Sequence, residues 1–159
     1  MMFTIATTRF NNETYNQNKR WRENNNYKGC IYGTPLMIRN NIPQDRNIFI
    51  LEMNNDKNEI KAIGFIKNRL IFDKKYKIYN WGNYNRYIYK GKYRIKKKEL
   101  NNDDLFTLKI LEKLVFKGSR HLKRGQGITQ LPDWIVKNKN INFTNKLLNM
   151  FINRNYIIQ

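Results

Sequence analysis

One cysteine and one histidine occur in the 159 residues, and 12 acidic side chains face 31 Lys and Arg. A lone Cys30 excludes an intrachain disulfide and a cysteine-based zinc site. It reads as a small buried residue in a reducing compartment, and an intracellular location, cytoplasmic or nuclear, is the expectation. A lone His121 excludes metal centres built on several imidazoles and paired histidine acid–base chemistry. The few carboxylates form no tight cluster of the kind two-metal nucleases need. No cofactor, metal or catalytic residue is therefore expected. No run of 18 apolar residues occurs, which argues against a membrane span. Met1-Met2-Phe3 leads into a strand-like segment rather than a signal peptide.

What is abundant is positive charge, +19 overall and unevenly placed. Residues 61–98 carry thirteen Lys and Arg against one acidic residue, and residues 1–60 carry eight against six. Such self-repulsion costs stability, and a polyanionic partner, above all nucleic acid, is its simplest explanation. Aromatics make up 14 % of the chain, so the charge belongs to a folded body rather than a disordered tail. Twenty-six Asn together with many Lys suggest an AT-rich genome. That bias supplies Lys everywhere, but it does not explain why one acidic residue stands between 61 and 98.

The length fits one domain. Residues 2–8 read as a strand, and 11–28 as either a short helix or a loop. Residues 47–53 and 60–66 form a hairpin about a polar turn. Leu70-Ile71-Phe72 and Tyr76 to Tyr79 continue the β-like pattern, and Tyr87 to Ile95 reads as a second hairpin turning at Gly91. The period then changes: apolar positions 105, 108, 111 and 115 predict a helix capped by Asn101 or Asn102 and ended at Gly118. A short helix after Pro132, a final helix over 144–152 and an apolar tail at 156–158 complete the chain. The expected class is α+β, a small mixed or antiparallel β-barrel or curled sheet with C-terminal helices packed on it.

Within the basic region, Lys67, Arg69, Lys74, Lys75, Arg86, Lys90, Lys92, Arg94 and Lys96 are candidate phosphate contacts. In one strand, Lys90, Lys92, Arg94 and Lys96 share a face while Tyr89, Tyr93 and Ile95 point the other way. The shortage of acidic neighbours argues against these cations being salt-bridged decoration. Trp81, Tyr84 and Tyr87, interleaved with them, are candidates for stacking bases or walling a pocket for one base. A second candidate site is the loop from Lys117 to Thr129. There Arg120, Lys123, Arg124 and His121 gather charge, Gly125 and Gly127 allow close backbone approach, and Ser119, Gln126 and Thr129 add neutral donors. Its spacing differs from a nucleotide-binding P-loop.

The order of the opening strand with Phe3 to Thr8, the polar insertion bearing Trp21, and the strands Asn47–Met53 and Ile60–Ile66 with Gly64 resembles the PUA-like superfamily, which includes the EVE and YTH domains. The resemblance spans about residues 2–95. It implies a compact β-barrel binding RNA or modified DNA, with a base held in an aromatic pocket, and makes Trp21, Trp81 and Tyr84 its expected walls. The composition also resembles proteins of large AT-rich DNA viruses, for which a viral factory or virion is the implied location. Two other functions fit the sequence. One is a packaging protein binding nucleic acid without preference, or docking on an acidic protein or on itself. The other is a small nuclease or base-modifying enzyme drawing on Asp73, Asp133 or His121, or on a long-range pair such as Glu52 with Asp73.

Overall fold

The most apolar segment of the chain becomes the middle of the molecule. In the computed structural model, which describes residues 2–156, Asn47–Asn54 forms strand β3, and every one of its eight residues is buried. It runs parallel to β1 (Phe3–Phe10) and antiparallel to β4 (Glu59–Lys67). A strand covered on both faces reads as a continuous hydrophobic run, which is why β3 is so plain in the sequence. Two short strands complete this mixed sheet: β6 (Tyr93–Lys96) beside β4 and β7 (Thr129–Gln130) beside β1. Strand β2 (Cys30–Thr34) pairs antiparallel with β5 (Tyr87–Gly91) as a separate two-stranded ribbon.

Each face of the large sheet has its own core. On one, Ile5, Phe49, Leu51, Ile63 and Ile95 meet the apolar sides of α2 (Asn102–Phe116), α3 (Asp133–Val136) and α4 (Phe143–Ile152). Helix α2 starts where expected, with the Asn101 side chain accepting from the Asp104 amide, and Gly118 follows it with φ of 83°. On the other face, Ala6, Ile48, Ile50 and Ile66 meet Ile31, Tyr32, Ile88 and Tyr89 of the ribbon and the irregular segment bearing Tyr76, Ile78 and Tyr79.

Helix α1 (Asn12–Asn24) lies on this second face and explains why 11–28 is ambiguous as sequence. Its buried residues are Gln17, Asn18 and Arg22, not a hydrophobic stripe. Asn18 Nδ2 donates to Ile31 O at 2.7 Å and to Tyr79 Oη at 3.0 Å, while its Oδ1 accepts from Arg22 Nε at 2.9 Å. Gln17 Oε1 accepts from the Asn80 amide at 3.1 Å. The helix docks through satisfied polar groups, which a search for apolar periodicity does not see.

Three expectations need correction. The strands form an open sheet and a separate ribbon, not a closed barrel. The hairpin expected across Gly91 does not form, because β5 pairs with β2 and β6 pairs with β4. At Gly91 the chain crosses from ribbon to sheet so closely that a Cβ there would lie 1.8 Å from Phe65 O. Residues 70–79 are irregular, not strands. Of the apolar tail, Tyr156 packs against Tyr93 with ring centroids 4.5 Å apart, and positions 157 and 158 lie outside the described residues.

The two layers of the second face are joined by charge. Glu52, buried on β3, accepts from Tyr32 Oη of the ribbon at 2.7 Å and from Arg94 of β6 at 2.9 and 2.8 Å. Arg94 also donates to Tyr15 Oη of α1 at 3.0 Å. Gly64 makes this possible, since a Cβ there would meet Tyr32 Oη at 2.0 Å. Burial alone would raise the Glu52 carboxyl, but the Arg94 guanidinium and the bonds from Arg94 and Tyr32 hold it below its ordinary 4.5. Burial, with the Glu52 charge nearby, pushes the adjacent Cys30 thiol up to about 12, as befits an inert core residue.

Because the Glu52 carboxyl is depressed on folding, its stabilisation is complete above the unfolded-state value. It is lost as pH falls through the lower, folded-state value. Glu52→Gln is expected to cost about 3–5 kcal/mol at neutral pH, since it strands Arg94 without a counter-charge. The gap from wild type should close as pH falls below the usual carboxylate range. Urea unfolding at several pH values checks this, and a deficit independent of pH would contradict it.

Candidate functional site

The Lys117–Thr129 loop reaches the molecule's polar cleft because one side chain ties it down. Arg9, at the end of β1, donates from Nε to Leu122 O at 2.6 Å and from Nη1 to Gly127 O at 3.2 Å. Its Nη2 donates to Thr129 Oγ1 at 2.7 Å and Thr7 Oγ1 at 3.2 Å. All four acceptors are neutral, so the guanidinium keeps an uncompensated charge at the loop's base. Burial pushes its pKa below the ordinary value, yet an arginine stays protonated. From the other side, Asn55 Nδ2 donates to Lys123 O at 2.9 Å. Gly127 has φ of 76°, and a Cβ on it would stand 2.6 Å from Thr34 Oγ1, so the loop closes on β2 only with glycine there.

The result is a cleft of about 220 Å³ lined by Arg9, Asn55, Thr34, Pro35, Tyr79 and Tyr84 together with Gly125, Gln126 and Gly127 of the loop. Lys123 also lines it. Tyr84 is held between two rings, edge-on to Trp81 at 4.6 Å and to Tyr79 at 6.1 Å. Trp81 is 60 % exposed. A shallower depression continues past Gly125 and Gln126 to Leu36, Met37, Arg39, Arg86 and Tyr87. The geometry thus brings Tyr84, Lys123, Gly125, Gln126 and Gly127 into one cleft, with Trp81 packed on Tyr84 and with Tyr87, Arg86 and Thr129 in the adjoining depression.

Other candidates lie elsewhere. Trp21 packs against Tyr27 and Tyr76, with ring centroids 6.1 and 5.7 Å away, and is not a wall of the Tyr84 cleft. The helix that carries it turns it toward the irregular 70–79 segment. Ser119 and Arg124 are exposed, and His121 Nδ1 accepts from the Lys123 amide at 3.2 Å. Arg120 lies over the Trp134 ring at 4.1 Å, shaping the loop from the helical side.

The basic stripe does not survive folding. Arg94 is buried against Glu52 and is not a phosphate contact. The change from ribbon to sheet at Gly91 breaks the alternation, so Arg94 and Ile95 are both buried. Lys90 sits over the Tyr27 and Tyr76 rings, 4.7 and 5.5 Å away, and Lys74 over Tyr76 at 5.2 Å. Lys67, Arg69, Lys90 and Lys92 line one groove of about 470 Å³, while Lys75 stands exposed apart from it and Lys96 lies on another face. Carboxylates distant in sequence also pair with this region, contrary to expectation. Arg69 meets Asp45, and Lys97 meets Glu59 and Glu112, while Lys61 meets the nearby Glu59. Glu52 and Asp73 do not form a pair, since Asp73 accepts from Tyr76 Oη at 2.7 Å.

Nothing in the sequence marks Arg9 as a candidate, for it is one cation inside an ordinary strand. The one signal is its position at the end of a strand that is otherwise apolar or threonine. Compared with known protein families, curated proteins and solved structures, the chain matches none.

Arg9→Met is expected to free the loop from β1. Amide hydrogen exchange across 118–129 should accelerate by at least tenfold, with a global cost of about 1–3 kcal/mol for the carbonyls left unsatisfied. Exchange confined to its wild-type rate in this segment would show that the loop holds itself.

Proposed function

We propose that the protein binds nucleic acid, seating one base against Tyr84 and contacting the neighbouring phosphates with the cations around the cleft. The observation that carries this reading is the meeting of a Gly-rich, cation-bearing loop with Tyr84, itself packed edge-on to Trp81, in one cleft. Rings offer a stacking surface that every base accepts, and exposed backbone beside glycines offers donors to a base edge or phosphate. Arg9 and Lys123 bring positive charge to the cleft, and Arg86 and Arg39 extend it along the adjoining depression. A cleft that joins a ring to a glycine-rich loop favours capture of a base over indiscriminate condensation, and the residues lining it offer no carboxylate for catalysis.

Fluorescence titration with labelled single-stranded RNA, single-stranded DNA and duplex DNA at several salt concentrations tests this. Affinity should fall steeply with salt, and single strands should outcompete duplex because their bases are free to leave the stack. Tyr84→Ala should weaken single-strand binding by about 5–150-fold, the equivalent of about 1–3 kcal/mol for a stacked base. It should leave the salt slope unchanged. No binding at low salt would overturn the proposal, and equal binding of all three ligands unaffected by Tyr84→Ala would replace it with non-specific condensation.

A further inference from the structure

A second concavity, a groove of about 630 Å³ walled largely by cations, lies along α1. Lys19 and Arg22 of α1, Lys61 of β4, and Arg94 and Lys96 of β6 line it, and Glu23 is its one acidic member. Lys98 and Lys109 stand at its far wall, where the chain enters and follows α2. Lys19, Lys96, Lys98 and Lys109 form no ion pair among the described residues. Four such lysines around one concavity repel one another, and a concave site with low-dielectric walls concentrates their field.

The floor is more telling than the rim. Arg22 and Arg94 are 8 % and 7 % exposed, so two guanidiniums are buried beneath the groove. One carboxylate, Glu52, serves them, and Arg94 takes both of its oxygens. The one side-chain bond of Arg22 runs from Nε to Asn18, which is neutral. The buried cluster therefore keeps one positive charge more than it balances. Leaving a buried charge uncompensated is costly, and a second buried arginine has no need to be there for packing alone. Its terminal nitrogens form a fork suited to two oxygens of one phosphate. The Tyr15 hydroxyl, which accepts from Arg94, retains its own proton as a further donor. The Lys61 ammonium lies 5.7 Å from the Tyr15 ring centroid but is already balanced by Glu59 at 3.0 Å.

We propose that this groove is a binding site for a multiply phosphorylated anion, with Arg22 as its inner contact and Lys96, Lys98 and Lys109 around it. The volume falls within the range of small-molecule sites, and the same chemistry takes either a free polyphosphate or consecutive phosphates of a nucleic-acid strand. The site does not depend on base capture at Tyr84, and the two are separable by mutation.

Titration calorimetry of the full chain with inorganic tripolyphosphate at low salt tests it. Saturable binding near one equivalent is expected, with a rise in the thermal unfolding midpoint. Arg22→Gln keeps a donor for Asn18 and should weaken binding at least tenfold. The exposed double variant Lys98→Gln/Lys109→Gln, which touches nothing buried, should weaken it several-fold. Lys74→Gln/Lys75→Gln, with the same charge change elsewhere, and Tyr84→Ala should both bind as wild type. Displacement of tripolyphosphate by a short single strand would assign the site to a nucleic-acid backbone, and failure to displace it would assign a free polyphosphate; either supports the site. No binding, or an equal loss in the Lys74/Lys75 control and the two groove variants, would overturn it.

Discussion

Glu52 ties together, by charge, layers that also share a hydrophobic core. Its carboxylate sits on the central strand, yet its partners come from the ribbon, from the strand at the sheet's edge and, through Arg94, from the first helix. Removing water from such ions is expensive, and their attraction repays it only with good geometry and further hydrogen bonds. Here both oxygens are engaged, and Gly64 clears the room that Tyr32 needs. The alignment of ribbon against sheet, and of α1 against both, is braced by this one ion in addition to the shared core and the Asn18 bonds. Both concavities draw lining residues from α1 or its cap.

That helix is the divide between them. Its inner face docks through amide and guanidinium bonds, so its sides are free to carry charge and rings toward solvent. Tyr15, Lys19 and Arg22 belong to one groove, while Asn11 and Thr14 at its start border the Tyr84 cleft. A helix held by apolar contacts alone would have filled both with hydrocarbon. The cationic surplus of the chain is thereby distributed into separate basins rather than spread along one strand. This is also a lower-energy arrangement, since like charges on alternate residues of one strand would stand close together.

Elements whose stability comes from apolar burial are legible in the residue pattern. The run Ile48–Met53, the hairpin to Ile66, and the helices over 102–116 and 143–152 all announce themselves by period, with caps marking the ends. Elements held by polar contacts are not. Residues 12–24 lack an apolar stripe, and residues 70–79 carry β-favouring side chains that pack into the core without pairing. The second hairpin is absent for a related reason. Alternation in 87–95 is genuine, but a close passage over Phe65 at Gly91 makes two strands with different partners more favourable than one turn.

The candidate site divides in the same way. The Gly-rich loop and the rings near Trp81 are visible as residue types, because glycine, cation and aromatic each state a local chemistry. That Tyr84 and Gly125 to Gly127 line one cleft and that Trp21 does not are decided by the fold, and Arg9 anchors the loop through contacts across more than a hundred residues of chain. By itself the sequence determined the α+β class, the central apolar hairpin and C-terminal helices, and the size of the positive charge. Only the tertiary structure decided which cations remain free. Burial follows from the periodicity of neighbours, whereas a cation is neutralised by carboxylates that the fold brings from distant positions, as Glu52 is brought to Arg94.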